Sequence, residues 1–166
     1  YPCCAILGTN DMLYAVSCQG ILSCFGSQQM HLVIDGYGAE QAILEDADTI
    51  YQFLDQYPDA IGMTKITPPH VYIYEGQKPE DVGVSGFVLI AESHISVHTF
   101  PARQYINIDV FSCKDFDTDL ALQELKARFG IESARSWTLE RGLEYADPDI
   151  ALQEMDTERN LLAKKM

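Results

Sequence analysis

Three apolar β-runs with almost nothing between them constrain the fold more than any other feature of the chain. Residues 84–91, 94–100 and 105–113 are rich in β-branched and aromatic side chains. The first two runs are separated by Glu92 and Ser93 alone, the next two by Pro101-Ala102-Arg103-Gln104. Connections that short join antiparallel neighbours, because a parallel pair needs a crossover of about a dozen residues or more. In the third run Ile106, Ile108, Val110 and Ser112 alternate with Tyr105, Asn107, Asp109, Phe111 and Cys113, the period of a strand with one face in a core.

The flanks supply the other layer. Residues 31–36 read as a strand running into a turn. Between Glu40 and Tyr57, Ile43, Ala47, Ile50, Phe53 and Leu54 fall near a 3.6 period, with Asp48 as the cap of a break and Pro58 as the end. Residues 63–74 are β-rich but interrupted by Pro68-Pro69, which predicts an irregular or edge strand, and a loop follows to Asp81. A helix capped by Asp117 or Thr118 carries Leu120, Leu122, Leu125 and Phe129 and closes at Gly130; residues 131–140 give a last strand, with Trp137 covering the sheet. The expected class is α+β: a two-layer α/β sandwich, mostly antiparallel sheet with helices on one face. The other face needs cover, and a second copy of the chain is the economical cover, so a homodimer is expected.

At 166 residues the chain has room for one domain. Its net charge of -14 repels phosphate backbones and anionic lipid, which argues against nucleic-acid and membrane partners and permits a cationic substrate. Four of the five cysteines (Cys3, Cys4, Cys18 and Cys24) crowd into residues 1–29, and only Cys113 lies beyond. That distribution does not read as a secreted disulfide framework, so the expected location is cytoplasmic and Cys113 is expected as a thiol, buried or reactive. Residues 1–29 begin with Tyr and show no steady period; they are expected to be upstream sequence or an irregular extension, with Met30 as the true start. The domain is expected over residues 30–145, followed by a charged tail over 146–166.

The strand Glu92-Ser93-His94-Ile95-Ser96-Val97-His98 carries the chemistry. Extended, it puts His94, Ser96 and His98 on one face and Ile95 and Val97 on the other. A polar strand face turned to water is the plainest reading. Metal binding through His94 and His98 lacks the third and fourth ligands that zinc sites use, so no metal is expected. A serine hydrolase would need a Gly-x-Ser-x-Gly turn, which neither Ser93 nor Ser96 has. His31 and His70 carry no signal beyond structural histidines. Tyr72, Tyr74 and Phe100 are candidates to stack on a substrate ring, although strand aromatics more often pack in a core.

The run from Gly83-Val84-Ser85-Gly86 through Ala91-Glu92-Ser93-His94 to Thr99-Phe100-Pro101 resembles the processing region of the bacterial and archaeal S-adenosylmethionine decarboxylases. Ile108-Asp109-Val110-Phe111-Ser112-Cys113 is similar at the family's spacing, and the likeness continues to Arg141-Gly142. The resemblance implies a proenzyme that cuts itself between Glu92 and Ser93. The Ser93 hydroxyl would attack the Glu92 carbonyl carbon, and elimination would leave Ser93 as a covalent, self-generated pyruvoyl group. That group forms a Schiff base with the substrate amine and acts as the electron sink for decarboxylation. The resemblance also implies roles for His98, as acceptor of the Ser93 α-proton; for Ser85, in stabilising the processing intermediate; and for Cys113, as proton donor to the product carbon. His94, beside the cut, is assigned to packing or to a backbone hydrogen bond.

Two departures concern the substrate. Family members carry Glu after the strand-ending Pro, and here Ala102 follows Pro101; the segment before Gly83 also differs. S-adenosylmethionine, decarboxylated to supply spermidine synthesis, is the first expectation. Arginine or ornithine with the same apparatus is the alternative, and a non-catalytic dimer partner is a third reading, against which the intact Ser85, Ser93, His98 and Cys113 set argues. Activation by putrescine is not legible.

Overall fold

The computed structural model describes residues 29–141. The expected N-terminal extension, except Gln29, and the expected tail lie outside the described residues. Six strands, β1 (Gln29–Tyr37), β2 (His70–Tyr74), β3 (Gly83–Ile90), β4 (Ser93–Phe100), β5 (Tyr105–Ser112) and β6 (Ser133–Arg141), form one sheet in the order β2-β3-β4-β5-β1-β6. Every pairing is antiparallel. The β2–β5 meander follows from the short connections between its strands; β1 then pairs with β5, and β6 lies outside β1.

Three helices lie on one face: α1 (Gln41–Glu45), α2 (Ala47–Ala60) and α3 (Thr118–Phe129). The core between the layers takes Leu32 and Ile34 from β1, Val84, Val88 and Ile90 from β3, Ile95 and Val97 from β4, and Ile106, Ile108 and Val110 from β5. Ile50, Phe53 and Leu54 of α2 and Leu125 and Phe129 of α3 meet them. The two-layer α+β architecture agrees with the expectation.

Local details differ. The break between the first two helices is capped by Asp46, whose carboxylate accepts the Asp48 N–H at 3.0 Å and the Thr49 hydroxyl at 2.5 Å, rather than by Asp48. Pro58 sits inside α2 rather than ending it, because in the last turn it removes only one helical hydrogen bond. Asp117 does cap α3, accepting the Leu120 N–H at 2.9 Å. Leu120 itself is 52% exposed, since the inward stripe runs through Ala121, Leu125 and Phe129. Trp137 pairs with Val33 and lies half-buried, 46% exposed, on the face of the sheet away from the helices.

Among the described residues no helix is long and apolar enough to cross a membrane, and no three His, Cys, Asp or Glu side chains stand where they could hold a metal.

Candidate active site

The β3–β4 hairpin turns through Ala91 and Glu92, and three hydrogen bonds tether that turn. The Ala91 N–H donates to the Thr64 carbonyl at 2.8 Å, and the Thr64 N–H donates to Glu92 Oε2 at 3.0 Å. The Glu92 carbonyl accepts the Cys113 N–H at 3.0 Å from the end of β5. Ser112, wholly buried, steadies that end: its hydroxyl donates to the Lys114 carbonyl at 2.7 Å and accepts the Lys114 N–H at 2.9 Å. Ser93 then enters β4 at φ 154°, a region that side-chain-bearing residues rarely occupy. Its Oγ lies 3.2 Å from His94 Nδ1.

His94 stands edge-on to Phe111, ring centres 5.6 Å apart, on the sheet face away from the helices. Burial holds its pKa below the usual histidine value, helped by His31 and Arg141 and opposed by Asp109. Asp109 accepts the Ser96 hydroxyl at 3.2 Å and lies 3.5 Å from His31 Nε2, while the Arg141 guanidinium sits 4.5 Å over Phe111.

A second cluster lies toward the other end of the same hairpin. Ser85 and His98 are cross-strand partners, and Ser85 Oγ is 2.9 Å from His98 Nδ1. Beside them opens a cavity of about 310 Å³ lined by Tyr74, Asp81, Gly83, Ser85, Thr99 and Phe100. Gly83 is required there, because a Cβ would stand 1.9 Å from the Thr99 carbonyl oxygen. Arg103 pairs with Asp81 at 3.1 Å and covers Phe100 at 5.9 Å.

The two clusters do not meet within one chain. Ser93 and His98 are five positions apart on β4, which at strand rise is roughly 16 Å. Ser93, His94 and the Cys113 N–H therefore group at one end of the hairpin, and Ser85, His98, Tyr74 and Phe100 toward the other.

The S-adenosylmethionine decarboxylase family model matches residues 30–142. The chain belongs to that family. Its relatives include the S-adenosylmethionine decarboxylase proenzymes of Archaeoglobus fulgidus, 31% identical over 68% of this chain and 96% of the relative, and of Clostridium botulinum, 34% identical over 68% and 92%. The crystal structure of the adenosylmethionine decarboxylase from Aquifex aeolicus VF5 is similar at a TM-score of 0.61 and 26% identity, covering 70% of this chain and 92% of that one.

Within this family frame, the residues singled out in the sequence fall into place unevenly. Ser93 sits at a strained, tethered turn, and Ser85 and His98 share a hydrogen bond. Tyr74 and Phe100 line the cavity rather than the core, and Tyr72 is 63% exposed on the edge strand β2. His70 stacks on Phe87 at 5.2 Å. Cys113 is disulfide-bonded, so a proton-donor role belongs to its reduced form. Sequence reasoning missed Asp81, because a carboxylate in a loop carries no signal, and it missed the Cys113 N–H, because a backbone contact has no residue type. It placed His94 beside the cut but not against the Ser93 hydroxyl.

Proposed function

We propose that this chain is a self-processing, pyruvoyl-dependent decarboxylase of S-adenosylmethionine that works as a homodimer. The observation that carries the reading is the Glu92–Ser93 turn. A serine held at φ 154° with its hydroxyl 3.2 Å from a histidine nitrogen follows a carbonyl already hydrogen-bonded at 3.0 Å, features that suit an acyl shift. Once formed from Ser93, the pyruvoyl carbonyl supplies the electron sink for loss of carbon dioxide. The chain's own residues do the rest. His98, oriented by Ser85, accepts the Ser93 α-proton during maturation. Cys113, in its reduced form, returns a proton to the product carbon, and a cytoplasmic location would keep it reduced. Tyr74 and Phe100 flank the substrate's ring system, and Asp81 offers a hydroxyl acceptor that Ala102 cannot.

A dimer makes these assignments compatible. The helix-free face of the sheet exposes Tyr72, Tyr74, Phe87, Leu89, Trp137 and Leu139. His94 of one cluster and Ser85 and His98 of the other lie on that face. A twofold axis through its centre sets each copy's Ser93 half against the other's Ser85–His98 half, completing two sites.

Arginine and ornithine are less favoured, since the matching relatives named above act on S-adenosylmethionine by name and the cavity offers two aromatic rings. Intact mass of the purified chain tests the reading: two fragments split between Glu92 and Ser93, the second without a free amine, are expected. Carbon dioxide release should be greatest from S-adenosylmethionine. A wild-type chain that stays whole, like Ser93→Ala, would sink the proposal, and dominant release from arginine or ornithine would overturn the substrate.

A further inference from the structure

The processing reaction needs two bases at different moments, and only one has been assigned. His98 removes a carbon-bound proton late. The earlier step, attack by the Ser93 hydroxyl, needs a base within hydrogen-bond reach of Oγ. We infer that His94 is that base, with the Cys113 backbone N–H as the donor that holds the oxyanion forming on Glu92.

This inference rests on the self-processing reading and adds a catalytic residue to it. His94 Nδ1 lies 3.2 Å from Ser93 Oγ, whereas His98 of the same chain stands about 16 Å along the strand and its role is at the Ser93 α-carbon. Asp109 is occupied by Ser96 and lies beside His31, and Glu92 Oε2 is taken by the Thr64 N–H. The Cys113 N–H meets the Glu92 carbonyl at 3.0 Å before any reaction, so the donor is in place when negative charge develops.

The step balances within the chain. His94 Nδ1 takes the hydroxyl proton as Oγ bonds to the Glu92 carbonyl carbon. The Glu92–Ser93 C–N bond then breaks, and His94 returns the proton to the departing Ser93 nitrogen. An ester and a free α-amine replace the amide, with no added reactant. The strained φ of Ser93 belongs to the peptide that is lost, so its relief favours the forward direction.

Charge around the ring suits the role. Of the elements packed against His94, β1 presents His31, β5 Asp109, β6 Arg141 and β3 only Leu89. Their balance with burial lowers the His94 pKa and keeps the ring neutral, hence able to accept a proton, further into acid than a free imidazole. Ester formation should therefore hold its full rate to below the usual midpoint of about 6.5.

The test separates ester formation from later elimination. In His98→Ala the ester should accumulate, and hydroxylamine should cut the chain between Glu92 and Ser93. In His94→Ala/His98→Ala that cut should slow about 10²-fold or more, the typical worth of a general base, and added imidazole should restore part of it. His94→Asn, which keeps a polar group without a base, should slow alike while its Tm stays at the wild-type value. Hydroxylamine cutting of the double variant at the single variant's rate, or wild-type self-cleavage by His94→Asn, would overturn the inference. A wild-type chain that never splits would instead defeat the decarboxylase reading itself.

Discussion

At the scale of single residues, the site is a division of labour between groups that look alike in the sequence. His94 and His98 share one face of β4, yet one touches Ser93 and the other touches Ser85, because cross-strand register pairs them with different neighbours. Cys113 is expected to separate cleavage from turnover. Under reducing conditions Cys113→Ser should still split into two fragments, since its backbone N–H remains, while carbon dioxide release falls about 10²-fold. Full turnover by that variant would show that another group reprotonates the product. The chemistry-bearing residues were legible through the family resemblance of their motif, since the pattern alone reads as a polar strand face. Their contacts were not, because the Cys113 N–H and the loop carboxylate of Asp81 leave no pattern.

At the scale of elements, the β3–β4 hairpin positions the site, and two features pin it. Thr99, buried in β4, accepts the Val84 N–H at 2.8 Å and donates to the Leu44 carbonyl at 2.8 Å, tying β3, β4 and α1 together. Thr99→Val would leave the buried Val84 N–H and Leu44 carbonyl without their side-chain partner, lowering unfolding stability by about 1–3 kcal/mol in urea titration. Gly83→Ala would drive a methyl into the Thr99 carbonyl, displace β3 beside Ser85, and slow self-cleavage as well as lowering Tm. A Gly83→Ala chain with wild-type Tm and cleavage would contradict the close approach. By contrast Asp117→Ala, which removes only the cap on α3, should cost about 1 kcal/mol and leave cleavage alone. Strands and helices were legible from period and turn length. The Asp46 cap was not, because Asp46 and Asp48 both suit the break and only the backbone path selects between them.

At the scale of the whole molecule, the helix-free face decides what one chain can do. Ser93 and His98 lie roughly 16 Å apart along β4, so complementation between damaged chains is the direct measurement of the proposed dimer site. Ser93→Ala and His98→Ala chains should each remain largely whole when made alone. Produced together, they should form mixed dimers in which the His98→Ala chain, meeting the intact His98 of its partner, is cut. Absence of that cut in a confirmed mixed dimer would place both halves of the site in one chain. Phe87→Glu, a charge at the exposed centre of β3, should yield monomers by sedimentation and abolish cleavage without unfolding the sheet.

The amino-acid sequence by itself determined the run of antiparallel strands, the two-layer class and the open face, because these follow from local period and connection length, while the serine at the turn was marked only by the family resemblance of its motif. Only the tertiary structure decided that the expected catalytic set falls into two halves, that Ser93 faces His94, and that the Glu92 carbonyl meets a backbone N–H. Those facts depend on strand register and on the direction each side chain leaves the sheet. Residues three or four apart are neighbours in a helix, but residues five apart in a strand stand at opposite ends of a site.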